Sequence, residues 1–284
     1  MKKIIVLFLL ILCLSVMALG FGNESYEKNI KVSTQNFLNV ENKNGKVKIK
    51  TTSRDDIILK VTKRANKRNA DFKDVQIKIN ETDSEINIKT KYETLLNPHI
   101  SVDMELEIPH SLQLKEISSS NGKIILTDCV GNAEISSSNG SITAKNCVGD
   151  FKFTTSNASI YAQNINGKMA AFTSNGKITA LGVSSLQRLS SSNGSIAAEV
   201  IELPEDLTIS TSNASIDVYL SQDLNALIKA NTSNASVKLR GIAVNATDIG
   251  KSNLVGTLGG GGNILKLNTS NGGIDISSLN YSSQ

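Results

Sequence analysis

A four-residue unit, Ser/Thr-Ser-Asn-Gly/Ala, returns along the last two-thirds of the chain at nearly constant spacing, and few folds can accommodate that. The unit begins at Ser119, Ser137, Thr155, Thr173, Ser191, Thr211, Thr232 and Thr269. Its asparagines are Asn121, Asn139, Asn157, Asn175, Asn193, Asn213, Asn234 and Asn271, at successive intervals of 18, 18, 18, 18, 20, 21 and 37 residues. The long interval reads as hiding a worn copy at Ser252-Asn253, with Leu254 in the Gly/Ala place. Repeats of this length are supersecondary units that bury an apolar face only by stacking on their neighbours.

Within each copy the period is two. Ala133-Glu134-Ile135-Ser136 and Ile142-Thr143-Ala144-Lys145 alternate apolar and polar residues, as half-buried strands do. Two strands and two turns per copy, each copy pairing in parallel with the next, predict an all-β, right-handed parallel β-solenoid (a β-helix or β-roll) with coils of ~18–21 residues. Eight intervals at the strand spacing give a rod of roughly 38 Å. Two apolar columns support the stacking. One is Ile124, Ile142, Ile160, Ile178, Ile196, Ile216, Val237 and Ile274; the other is Leu126, Ala144, Ala162, Ala180, Ala198, Val218, Leu239 and Ile276.

The turn asparagines, Asn253 included, are expected to be structural. Asparagine tolerates the left-handed backbone region, and stacked amides can bond along the rod as a ladder. Because Ala replaces Gly at 158, 214 and 235, the left-handed residue is assigned to Asn, with the next residue small for steric reasons. The Ser/Thr hydroxyls are expected to satisfy turn backbone groups. A ligand platform on this column is the functional alternative. Glycosylation sequons at Asn139, Asn157, Asn193, Asn213 and Asn234 fall out of the repeat itself.

Cys129 and Cys147 lie 18 apart in a slot continued by Ile165, Val183 and Ile201, so they are expected as stacked, buried thiols. Their parallel Cβ vectors suit a disulfide poorly, although an exported protein favours one. With His99 and His110 the only histidines, no metal site is expected.

Charge divides the chain. Residues 24–116 hold 17 Lys/Arg and 15 Asp/Glu, whereas the longer stretch 117–284 holds 11 of each. The organisation expected is therefore a signal peptide over 1–22, a charged β region over 23–116 that starts and caps the solenoid, and the repeat over 117–284. Lys2 and Lys3 precede the apolar run Ile4–Leu19, followed by small residues, the tripartite pattern of an export signal. A membrane anchor needs a longer run, and lipidation at Cys13 lacks a small residue before it. No later stretch is apolar enough to span a bilayer. Export to the periplasm, the cell surface or the medium follows. A formal net charge of +4 gives no reason to invoke nucleic acid.

No catalytic constellation is apparent. A Gly-x-Ser-x-Gly elbow is absent, and the acids of 117–284 are scattered. The glycine run 259–262 lacks the Lys-Ser/Thr of a phosphate loop and reads as a bulge between coils. The basic cluster Lys63 to Arg68 reads as a solvated hairpin tip, with polyanion binding the alternative. No enzyme activity and no cofactor is expected.

The Ser-Asn-Gly-x-Ile turn, the early copy Asn44-Gly45-Lys46-Val47, and Val102-Asp103-Met104-Glu105-Leu106-Glu107-Ile108-Pro109 before the first strong repeat together resemble the bacterial DUF4097 family, whose members are labelled adhesins. The resemblance covers roughly residues 35–280 and supplies no binding residues. It implies a strand-repeat solenoid on an exported or envelope protein. The function expected is a non-enzymatic envelope or surface scaffold, with a glycan-binding or glycan-processing β-helix and an envelope-stress accessory role as alternatives. Surface glycan and envelope protein are the partners left open.

Overall fold

The computed structural model describes residues 22–65, 70–93 and 99–279. The chain is a β-solenoid with two long sheets back to back over a narrow apolar core. The export signal, Cys13, the turn expected around Leu95-Leu96-Asn97-Pro98 and the end of the Lys63–Arg68 cluster lie outside the described residues.

Each coil crosses one sheet, turns at the asparagine, and returns across the other. Gln113–Ser119 leads through Asn121 to Ile124–Thr127, and Gly131–Ser137 leads through Asn139 to Ile142–Val148. Farther on, the 14-residue strands Ile160–Thr173 and Ile178–Ser191 each run through both sheets. The columns stack as the period requires: Ile142 pairs with Ile124 and Ile160, and Ala144 with Leu126 and Ala162. Small residues in the second column leave room for Phe151, Phe153 and Met169 from the facing sheet, and all three are buried. Val237 and Leu239 are only half-buried, because Val237–Arg240 is the last strand of its sheet.

Coil order along the rod departs from chain order at both ends. Phe37–Asn42 pairs on one side with Gln113–Ser119 and on the other with Glu85–Tyr92. Val47–Thr52 likewise lies between Ile124–Thr127 and Ile100–Pro109. The first coil is thus enclosed by the second and third. At the far end the last coil in sequence, Ile264–Thr269 with Ile274–Ser278, is enclosed between Leu207–Ser210 with Ile216–Leu220 and Ala226–Thr232 with Val237–Arg240. A repeat motif encodes what each coil stacks against chemically, and any coil satisfies that requirement equally.

Antiparallel strands finish both ends. Val75–Glu81 pairs with Glu85–Tyr92, while Asp56–Ala65 pairs with Ile100–Pro109 and carries Asn23–Lys31 on its outer edge. At the other end Asn253–Leu258 pairs antiparallel with Ala226–Thr232, and Asn245–Ile249 lies beyond it. The Ser252-Asn253 copy is therefore not a coil turn. It opens one strand of an antiparallel hairpin, which explains why Gly256 stands where the motif has Ile. Backbone pairing is unbroken across residue 116, since Gln113–Ser119 bonds both to Phe37–Asn42 and to Gly131–Ser137. Among the described residues no helix is long and apolar enough to cross a membrane.

Candidate functional site

The asparagine turn is held by two parallel chains of side-chain hydrogen bonds. Outside, each amide donates Nδ2 to the Oδ1 of the adjacent coil: Asn121 to Asn44 at 2.6 Å, Asn139 to Asn121 at 2.7 Å, Asn157 to Asn139 at 2.7 Å and Asn175 to Asn157 at 2.8 Å. Asn193, Asn213, Asn271 and Asn234 continue it at 2.7 Å each, in that spatial order. Asn271 standing between Asn213 and Asn234 is the enclosed last coil seen in side chains. Asn44, absent from the expected set, supplies the first rung. Asn253 stands apart and donates to Asp248 Oδ2 at 2.6 Å.

Inside, the buried Ser/Thr hydroxyls reach across to the carbonyl of the small residue one coil away. Thr155 donates to Gly140 O at 3.1 Å, Thr173 to Ala158 O at 3.1 Å and Thr269 to Ala214 O at 2.9 Å. At glycine turns the same hydroxyl also accepts the glycine N–H, as Ser137 does from Gly140 and Thr173 from Gly176. The alanine turns at 158, 214 and 235 lack this second bond, and their small residue is half-buried rather than buried. Glycine and alanine turns therefore differ in geometry, although the sequence presents them as interchangeable.

The left-handed assignment is corrected by the structure. None of the motif asparagines has positive φ. That conformation belongs to the opposite turn, in Asp128 (φ 57°), Asn146 (φ 53°), Asn164 (φ 55°) and Gly182 (φ 58°). These four are also 18 apart and form their own column. Asn146 donates to Asp128 Oδ1 at 3.2 Å, and Asn164 to Asn146 Oδ1 at 3.1 Å. Asp, Asn, Asn and Gly at one interval was a legible signal, overshadowed by the stronger motif.

Asn175→Ala removes one donated and one accepted ladder bond in mid-rod and no backbone preference. We expect a loss of about 1–2 kcal/mol. Thermal unfolding checks this, and a melting temperature equal to the parent's would show that the exposed ladder contributes nothing.

Cys129 and Cys147 are both free and buried. Their slot continues through Ile165 and Val183, which pair in register, but ends there: Ile201 is 44% exposed, because the coil that carries it, from Asn193 to Asn213, is two residues longer than those before it. The Cys147 thiol beside it, and then burial, push the Cys129 thiol above its ordinary value. Alkylation without reductant should give two labels at 129 and 147 in denaturant and none in the native protein. Rapid native labelling would mean that the slot opens. Replacing both cysteines by Val should leave stability unchanged or slightly higher, since Val183 already fills the same slot.

The basic cluster is not simply solvated. Lys63 is 7% exposed and points inward from Asp56–Ala65, donating to Glu24 at 3.3 Å and to the Phe72 carbonyl at 3.1 Å. Arg64 faces out and binds Asp103 at 2.6 Å. Burial, and then Glu24, pushes the neighbouring Tyr26 hydroxyl up to about 12.

The enclosure of the first coil creates a concave polar surface. On the outward side of Phe37–Asn42, flanked by Glu85–Tyr92 and Gln113–Ser119, lies a hollow of about 270 Å³ lined by Asn39, Glu41, Glu85, Asn87, Lys89 and Lys115 among others. A second hollow of about 310 Å³ continues toward Lys43, Lys91 and Tyr92 and shares Glu41 and Lys89 with the first. Asn39 Nδ2 donates to Glu85 Oε2 at 2.9 Å and to Asn87 Oδ1 at 3.0 Å. Lys115 pairs with Glu85 at 2.5 Å and Lys89 with Glu41 at 2.6 Å. The Lys115 hydrogen bond holds the Glu85 carboxyl below its ordinary value. Lysines lie over an aromatic ring at either end, Lys115 at 5.7 Å from Phe37 and Lys43 at 5.2 Å from Tyr92. These residues come from three separate stretches of sequence, so no motif announced them.

Parallel coils with an asparagine ladder, enclosed at each end by a coil out of chain order, define a particular class of β-solenoid. The chain belongs to the Toastrack DUF4097 family, whose pattern matches residues 36–277. Among solved structures it is similar to a candidate cell adhesion protein from Clostridium sporogenes, at 11% identity over 90% of this chain and 100% of that one, with a TM-score of 0.28. A candidate adhesin from Bacteroides fragilis matches at 12% identity over 90% and 97%, with a TM-score of 0.47. A further candidate adhesin, from Parabacteroides merdae, matches at 11% identity over 89% and 95%, with a TM-score of 0.35. No curated protein matches the chain.

Proposed function

We propose that this protein is an exported, non-enzymatic scaffold of the bacterial envelope or surface that serves adhesion. One observation carries the reading. The solenoid displays its outward side chains in straight rows at the strand spacing, so that Glu116, Glu134, Lys152, Ala170, Arg188 and Thr208 follow one another on successive strands of a single sheet. Such a surface offers many weak contacts of fixed spacing to an extended partner. Multivalent attachment needs that geometry, and turnover of a small substrate does not. The apolar run Ile4–Leu19 behind Lys2 and Lys3 supports export.

Fractionation and a retention assay test this together. A C-terminally tagged protein should appear outside the cytoplasm with its N-terminal segment removed, and beads coated with it should be retained on cells or matrix. Cytoplasmic protein with an intact N-terminus would sink the export half. New reducing ends or unsaturated products from a polysaccharide panel would sink the non-enzymatic half.

A further inference from the structure

We propose that the groove over Phe37–Asn42 is a binding site for a neutral oligosaccharide, which it holds through vicinal hydroxyls. This deepens the adhesion reading and rests on it only for its biological setting. The first argument is the mixture of open valences. Each sugar hydroxyl both donates and accepts, so a pair of adjacent hydroxyls is met best by a donor beside an acceptor. With Asn39 Nδ2 occupied by Glu85 and Asn87, the Asn39 Oδ1 acceptor and the Asn87 Nδ2 donor remain without a partner among the described residues. Glu41 uses Oε2 toward Lys89, which leaves Oε1 open beside them.

The second argument is preorganisation. Glu85 is held before any ligand arrives by Lys115 and by the Asn39 amide, and Lys89 orients Glu41, so part of the side-chain freedom is already given up. Enclosure of the first coil supports them from beneath, since Leu38 and Val40 of the same strand are buried in the core.

The third argument selects the ligand class. Lys43, Lys89, Lys91 and Lys115 line the groove with Glu41, Glu85 and Glu116, and Lys91 is paired by Glu93 outside it at 3.6 Å. A polyanion would meet as much repulsion as attraction, whereas an uncharged polyol gains from both signs through charge-assisted hydrogen bonds. Tyr92 lines the far end of the groove and supplies apolar surface for the C–H face of a sugar ring beside the Lys43 ammonium.

The test is an array of neutral, sulfated and uronate-bearing oligosaccharides probed with the purified protein, followed by titration calorimetry on the best binder. Binding should be confined to neutral members. Asn87→Ala and Glu41→Gln should each weaken it about tenfold, the value of one hydrogen bond to the ligand. Asn231→Ala, on the same sheet near the opposite end, should leave it unchanged. Glu41→Gln is isosteric and exposed, so it tests the site even if Asn87→Ala fails to fold. Failure to bind any member overturns the proposal, as does binding confined to anionic members or indifferent to both groove variants. Bead retention on cells stripped of surface glycan separates the two readings. Retention there, with an empty array, leaves adhesion standing and removes the groove; a positive array without retention on any cell does the reverse.

Discussion

Phe153→Ala should lower stability by about 3–5 kcal/mol, the largest single-residue effect expected in the rod. The ring is fully buried and stacks on Phe151 with centroids 5.8 Å apart and planes 3° from parallel. Its register neighbours are Ile135 on one side and Ala171 on the other. The second inward column is alanine at 144, 162 and 180, stacked in register and all buried. Alanine side chains cannot swing into a vacated ring volume, and backbone ladders on both sides hold the sheets apart. The cavity therefore persists, and the cost falls toward the upper part of the range. Unfolding in denaturant measures it, and a loss under about 1.5 kcal/mol would mean that the two sheets collapse onto the gap.

Gly176→Ala should be the second largest, at about 3 kcal/mol, and larger than Asn175→Ala. The motif alone suggests the opposite, because it tolerates Ala at 158, 214 and 235. In the observed backbone, however, a Cβ on Gly176 would come 1.7 Å from the Ala158 carbonyl oxygen of the coil beneath. Relief requires the turn to adopt the alanine geometry. That gives up the Gly176 N–H bond to Thr173 at 3.1 Å and shifts a backbone contact on which the next coil rests. Comparing Gly176→Ala with Asn175→Ala in one thermal series decides the matter. Equal melting temperatures would show that the two turn geometries interconvert at no cost.

The parts of the fold legible in the sequence are those set by period. The interval of 18 placed Ile142 over Ile124, Cys147 in the slot of Ile165, and Asn139 over Asn121. A single-residue interval says nothing about handedness of backbone at a given position. The left-handed residue was accordingly assigned to the conspicuous Asn rather than to Asp128, Asn146 and Asn164 across the coil. Order along the rod was equally hidden. Asn271 lies 37 residues after Asn234, yet its amide bonds to Asn213 as readily as to Asn234, because every coil presents the same edge. The worn copy at Asn253 was inferred to fill that interval, whereas the chain instead makes a hairpin there and returns to an inner place. The groove was illegible for the same reason, since Asn39, Glu85 and Lys115 meet only once the first coil is enclosed.

Enclosure of the first and last coils also sets how the molecule would respond to being pulled. In a solenoid stacked in chain order, tension on the termini peels the outermost coil, then the next, each step breaking one row of backbone bonds. Here the peripheral strand Asn23–Lys31 can detach from its edge, but the force then reaches Phe37–Thr52, a coil with a bonded neighbour above and below. On the C-terminal side the coil Ile264–Ser278 is held in the same way. Extraction at either place must rupture two rows together. A rod built so resists traction at its extremities, where an ordinary repeat stack yields first.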